Sequence, residues 1–233
     1  MRQIIIDTET TGLDPQQGHR IIEIGCIELI DRQFTNNNFH CYLNPQRVVE
    51  AEALAVHGIT NEFLQDKPVF AVILSDFLAF IEGAELIAHN AEFDIGFIDY
   101  EMQLLNSNAK PVTNYATVFD TLALARKMFP GQRNTLDALC KRYKIDLSAR
   151  KLHGALLDAR LLAEVYLAMT GGQLSLFTNN EFALTEKSTD YSHQTNKARP
   201  PLNIIYANTA EIAEHEKFLT ALNNTGKCLW KTT

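Results

Sequence analysis

A chain of 233 residues, 46% of them hydrophobic, has the length of one domain with a tail or of two small domains, and the composition of a globular core. Its net charge is −7, and all of that excess lies in the first 180 residues, which excludes a surface that grips duplex nucleic acid by counterion release. No apolar stretch reaches the ~18 residues of a membrane span, and no secretory leader is expected, because Asp7 and Glu9 interrupt the first apolar run. The four cysteines, Cys26, Cys41, Cys140 and Cys228, are scattered without a C-x-x-C pair, which excludes a disulfide framework or zinc site and fits a reducing cytoplasm.

The chain opens on Ile4-Ile5-Ile6, a β-branched run that reads as a buried strand. Asp7 and Glu9 follow at i and i+2, so strand alternation sends both carboxylates to one face. Two like charges there raise each other's cost of ionisation, and a hard divalent cation with oxygen ligands is the natural counterweight. Residues 20–30 and 39–43 are strand-like and predict an antiparallel meander. Residues 45–67 read as loop around His57-Gly58, and 69–81 as a helix. Glu85 to Ala88 predicts a strand, and Asn90 is the expected N-cap of a helix from Ala91 to about Leu105, with Asp94 in its first turn. A short strand at 115–118 and a helix at 122–128 precede the stop at Pro130-Gly131. Asn134 and Asp137 predict the start of a helix over 136–143. The last helix of this part runs over 156–169, with Asp158 near its start and His153 on the approach loop, and ends at Gly171-Gly172. Strands followed by alternating strands and helices give an α/β domain with a mixed sheet.

Asp7 to Gly12 (D-T-E-T-T-G), His89 to Asp94 (H-N-A-E-F-D) and His153 to Asp158 (H-G-A-L-L-D) occur in that order. They resemble the three exonuclease motifs of the DEDD superfamily, in the variant with a histidine before the last aspartate. Further blocks, 56–59, 125–131, 136–140, 167–172 and 228–230, are similar to the proofreading subunits of bacterial replicative DNA polymerases. The resemblance implies a ribonuclease H-like fold with five strands and 3′–5′ hydrolysis of a DNA strand. It implies that Asp7, Glu9, Asp94 and Asp158 hold two Mg²⁺ or Mn²⁺ ions and that His153 takes a proton from the attacking water. The unperturbed pKa of histidine, near 6.5, suits that work. It also implies that Thr10, Leu13, His57, Asn90 and Phe93 line the terminal-nucleotide pocket, while core packing is the ordinary alternative for Leu13 and Phe93. An acidic enzyme of this kind needs another protein, or its metals, to hold the DNA 3′ end.

Four parts are expected: residues 1–172 as nuclease domain, 173–177 as a docking peptide, 178–201 as a flexible linker and 202–233 as a partner-binding segment. Gln173, Leu174, Leu176 and Phe177 resemble the short peptide by which replication proteins dock on the bacterial sliding clamp. Residues 178–201 are poor in apolar side chains. Beyond them Asn208 and Glu211 form a predicted capping box, and Ile212, Leu219 and Leu222 share a helical face near Trp230, the single tryptophan. A piece this small needs a partner for its apolar face; by resemblance that partner is the polymerase (alpha) subunit, the alternative being the nuclease domain itself. A small theta-type subunit is also implied by the family. A stand-alone exonuclease trimming RNA ends would share the site but leaves the tail without purpose. A dead scaffold leaves the acidic set unexplained.

Overall fold

In the computed structural model, residues 1–148, 150, 152–171 and 207–225 are described. They fall into two units, Met1–Asn179 and Asn180–Thr233. The clamp-like peptide at 173–177, the linker at 178–201 and Trp230 lie outside the described residues.

The first unit is built on a five-stranded mixed sheet. β1 (Arg2–Thr10), β2 (Ile21–Ile30) and β3 (Gln33–Tyr42) form the expected antiparallel meander. β4 (Glu85–Ala88) joins β1 in parallel and β5 (Thr117–Asp120) joins β4, giving the order β3-β2-β1-β4-β5. The opening strand does not stop at its isoleucines but runs on through both carboxylates to Thr10.

Alternation along β1 divides the core. Ile4 and Ile6 pack with Phe77 and Phe97, which come from α3 (Phe70–Ile81) and α4 (Ala91–Leu105). Ile5 faces the other way, onto Ala159, Leu162 and Tyr166 of α7 (Ala155–Gly171). Asp7 and Glu9 have the parity of Ile5 and therefore project on the side of α7, whereas Thr8 projects on the side of α4. Burying the fully enclosed isoleucines of β1 contributes roughly 1.5–3 kcal/mol each. A part-buried fork from Arg20 to Glu101, with bonds of 2.8 and 2.6 Å, ties the start of β2 to α4.

Several local expectations are corrected. Residues 45–67 are not loop throughout: they hold α1 (Ala51–His57) and α2 (Asn61–Leu64), each too short to show a hydrophobic period. β5 begins two residues later than its apolar pattern implied, because Tyr115 ends a 3-10 turn (Val112–Asn114) and its carbonyl accepts from Gly83. Asn90 stands at the N-cap of α4 in the left-handed region and makes no side-chain cap bond. α5 (Thr121–Met128) is capped by Asp120. α6 (Leu136–Tyr143) is capped by Thr135 rather than Asn134, whose side chain instead binds the Phe129 carbonyl and Arg142.

α7 approaches the sheet at Gly25, the cross-strand partner of Asp7. A Cβ at Gly25 would overlap the backbone of Ala155 and Leu156, so only glycine lets the start of α7 rest against β2.

In the second unit α8 (Thr209–Thr225) carries the predicted capping box. Asn208 Oδ1 accepts from the Ala210 and Glu211 amides at 3.0 Å, and the Glu211 carboxylate returns to the Asn208 amide at 2.9 Å. Ile212 and Phe218 are exposed and Leu219 is half-buried.

Replacing Gly25 with alanine is expected to cost at least about 1–3 kcal/mol by overpacking. The urea midpoint of the full chain should fall accordingly; an unchanged midpoint would contradict the close approach.

Candidate active site

The site forms where the C-terminal ends of β1 and β4 meet the first turns of two helices. Asp7 and Glu9 come from β1, Asp94 from the first turn of α4 and Asp158 from the first turns of α7. Asp94 and Asp158 are nearly inaccessible, Glu9 is buried and Asp7 partly so. Thr8, on the opposite face of β1 from Asp7 and Glu9, donates its hydroxyl to Asp94 Oδ1 at 2.7 Å and so fastens α4 to the strand. Gly154 ends the loop carrying His153, which is exposed and lies 3.1 Å through Nδ1 from Asp158 Oδ2.

The gathered charges tell on one another. Burial, and then repulsion from Asp94, Glu9 and Asp158, holds the Asp7 carboxyl well above its ordinary range. Burial pushes Glu9 up to about 8, with further repulsion from Asp158, Glu23 and Asp94. Asp94 is pushed up to about 7, again chiefly by burial and against the hydrogen bonds from Thr8. Ligand atoms of Glu9, His153 and Asp158 lie within 4.8 Å of one another. An oxygen-rich set with one imidazole fits a hard divalent cation.

Sequence reasoning missed three contributors. Glu23 sits directly across β2 from Glu9 and contacts His40 Nε2 at 2.7 Å; its alternation with Gly25 along β2 was the available signal. His19 is buried, its Nδ1 3.1 Å from the Thr11 hydroxyl, and it lines the adjoining cavity. Arg150 forks onto Asp158, Nε to Oδ1 at 2.5 Å and Nη2 to Oδ2 at 2.6 Å, and also reaches Asp137 and His153. Its position eight residues before Asp158 carries no local signal.

A cavity of about 420 Å³ opens beside the acidic cluster, lined by Glu9, Thr10, Leu13, His57 and Phe93 among others. Leu13 is 82% exposed, which removes the core-packing alternative for it. Phe93 does both: its ring packs against Phe97 in a tilted arrangement, centroids 4.9 Å apart, and faces the cavity. His57 is buried, and its Nδ1 accepts the Ile59 amide at 2.9 Å, so the ring proton sits on Nε2; burial lowers its pKa. Asn90 does not line this cavity. It borders two neighbouring hollows, one shared with Leu13 and Phe93 and one with His89 and Arg126. The loop of His153 hangs on the cavity wall: its amide donates to the Val56 carbonyl at 3.2 Å, and Leu152 packs over Gly58, where a Cβ would overlap it.

A family model described as Exonuclease matches residues 4–166. The chain is 52% identical over 236 residues to DNA polymerase III subunit epsilon of Salmonella typhimurium, covering 99% of this chain and 97% of that one. The same subunit of Escherichia coli K12 is 51% identical over 236 residues, with the same coverage. The chain belongs to the epsilon-subunit family of DNA polymerase III. Two solved structures share the fold. The nuclease domain of 3′hExo, a DEDDh family member bound to rAMP, has a TM-score of 0.60 at 20% identity, covering 72% of this chain and 90% of that one. Exonuclease X in complex with 5′ overhanging duplex DNA has a TM-score of 0.52 at 26% identity, covering 74% and 95%. The ribonuclease H-like architecture expected from the motifs is thus the observed one.

The raised carboxyl pKa values set a pH dependence. Between the unfolded carboxylate range, about 4, and the folded values of about 7 and 8 for Asp94 and Glu9, the folded chain holds protons that the unfolded chain has released. Rising pH therefore favours unfolding across that window. In chelator, the melting temperature should fall steadily from pH 5 to about 8.5, and excess Mn²⁺ should flatten the slope. A flat profile in chelator would count against the shared acidic cage.

Proposed function

We propose that this chain performs the 3′–5′ exonuclease reaction of its family through Asp7, Glu9, Asp94, Asp158 and His153. The enzyme is the metal-dependent proofreading subunit of the replicative polymerase, removing mispaired 3′-terminal nucleotides from DNA. The observation that carries the residue assignment is the convergence of four carboxylates from three elements, in which Asp94, Glu9 and Asp158 raise the cost of ionising Asp7, and Asp158 and Asp94 raise that of Glu9.

The four carboxylates would hold two Mg²⁺ or Mn²⁺ ions. Bound cations supply the positive charge that in-line displacement at phosphorus requires on both the entering and the leaving oxygen. The protein's own groups do the rest. Thr8 fixes Asp94 at the rim, and His153, held near Asp158 on a glycine-flanked loop, accepts the proton of the attacking water. The cavity beside Glu9 receives the terminal nucleotide: exposed Leu13 and half-buried Phe93 pack on the base without reading its identity, and Thr10 and His57 offer polar contacts to the sugar end. Asn90, outside the cavity, would meet the strand from the far side of Phe93. Discrimination then comes from fraying, because a mispaired end costs less to unstack. The products are a nucleoside 5′-monophosphate and a strand one nucleotide shorter.

We assign residues 1–172 to the nuclease domain, 173–177 to sliding-clamp docking, 178–201 to the linker and 202–233 to the polymerase alpha subunit. Exposed Ile212 and half-buried Leu219 on capped α8 support the last assignment, together with Leu222 and Trp230 by sequence. A theta-type subunit and a cytoplasmic setting follow from the replicative role. Among the described residues no helix is long and apolar enough to cross a membrane.

The test is digestion of a primer with a mismatched 3′ end, with and without Mg²⁺, against a paired primer and an RNA strand. Rapid metal-dependent loss of the mismatched DNA end is expected, and Asp7→Ala or Asp158→Ala should reduce it at least about a hundredfold while leaving the circular dichroism native. Preference for RNA would favour the trimming enzyme instead. For the tail, a chain lacking residues 181–233 should keep its nuclease activity and lose polymerase binding in gel filtration. Gln173→Ala with Phe177→Ala should lose the clamp alone; retained binding in either case would sink that assignment.

A further inference from the structure

His19 joins the two stretches of chain that frame the cavity beside Glu9. One is the loop after β1, which carries Gly12 and Leu13; the other is Glu50 with α1, which carries Val56 and His57. The His19 side chain is buried, and each ring nitrogen faces a partner. The Thr11 hydroxyl accepts from the Arg20 amide at 3.0 Å, and among the described residues the acceptor for its own proton is His19 Nδ1 at 3.1 Å. That arrangement leaves the ring hydrogen on Nε2, which stands 3.3 Å from Glu50 Oε1. Glu50 is the N-cap residue of α1, yet its side chain makes no cap bond and meets the imidazole instead. Alongside, the Glu50 amide donates to the Thr11 carbonyl at 3.2 Å.

Gly12 rests against this ring. A Cβ there would lie 2.3, 2.4 and 2.6 Å from Cε1, Nδ1 and Nε2 of His19. Gly12 does not take a positive φ, so the close approach of the imidazole, not backbone freedom, requires the glycine that ends D-T-E-T-T-G. Leu13 follows at once and is 82% exposed. Core packing does not hold it, so its place is set by the backbone beside it, and that backbone lies on His19.

We propose that His19 is a positioning residue for the terminal nucleotide: it clasps the loop after β1 to Glu50 and supports Gly12, so that Leu13 is already in place when a base arrives. A side chain on a yielding loop spends part of its contact energy on ordering that loop, whereas a supported one does not. An imidazole suits the place because one rigid ring offers an acceptor to the hydroxyl and a donor to the carboxylate. The proposal rests on the reading of this cavity as the nucleotide pocket given above.

Digestion of a single-stranded oligodeoxynucleotide in Mg²⁺ by the full chain gives KM and kcat for the wild type, Leu13→Ala, His19→Ala and the double variant. Each single change should raise KM about tenfold, the loss expected for one apolar contact on the base, with kcat within about threefold. In the Leu13→Ala background, His19→Ala should add less than about twofold, because the contact it serves is already gone. His19→Gln should recover most of the wild-type KM, since its flat amide also carries an acceptor and a donor; failure of that rescue overturns the proposal. If His19→Ala does not fold, His19→Asn serves, because its shorter amide cannot span Thr11 and Glu50 together; the same rise in KM and the same non-additivity are then required. If Leu13→Ala raises KM while the His19 change leaves it unaltered, or if the two effects multiply, this inference falls and the pocket reading stands. If Leu13→Ala leaves KM unaltered, both fall.

Discussion

The rest of the molecule is arranged around a repulsion. Four carboxyl groups are pressed together at one end of a sheet, and for Asp7, Glu9 and Asp94 burial makes ionisation more costly still. A fold that assembles such a group needs stability from elsewhere. It has two apolar layers, one on each face of β1, and a part-buried fork, Arg20–Glu101, that fastens the start of β2 to the helix carrying Asp94. Site and scaffold are therefore complementary: the isoleucines supply the stability that the acids reduce, and alternation along one strand sends both kinds of residue where they are needed.

Much of this was legible because chemistry and periodicity coincide along the chain. Asp7 and Glu9 stand at the end of an apolar run, Asp94 and Asp158 in the first turns of helices, and each position follows from local pattern alone. The long elements α3, α4 and α7 show their hydrophobic stripe, and Asn208 with Glu211 marks the start of α8 because a cap is a purely local device. The motif resemblance supplied what periodicity could not: the joint purpose of acids separated by more than a hundred residues.

What escaped had physical reasons. α1 and α2 are shorter than two turns or barely reach them, too brief for a period to register. Thr135 won the cap of α6 because Asn134 was drawn into side-chain bonding with Arg142. Arg150 is a cation in a polar stretch, and only the return of its loop over α7 makes it part of the site. Glu23 lies in a strand whose neighbours are almost all buried, and a carboxylate there gains meaning only from the register that sets it opposite Glu9. Local pattern reveals residues that act from their own element; it is silent on those that act across elements.

The close contact at Gly25 has a consequence for how this cage can vary. The spacing between the acid on β1 and the acid on α7 is gauged by an absent methyl group, because the helix comes to rest on bare backbone beside Asp7. A bulkier residue would act as a shim, lifting Asp158 from its counterpart while every acidic side chain remained in the sequence. A chain could thus keep all of its signature letters and still lose the geometry they stand for, through a position that carries no functional group at all.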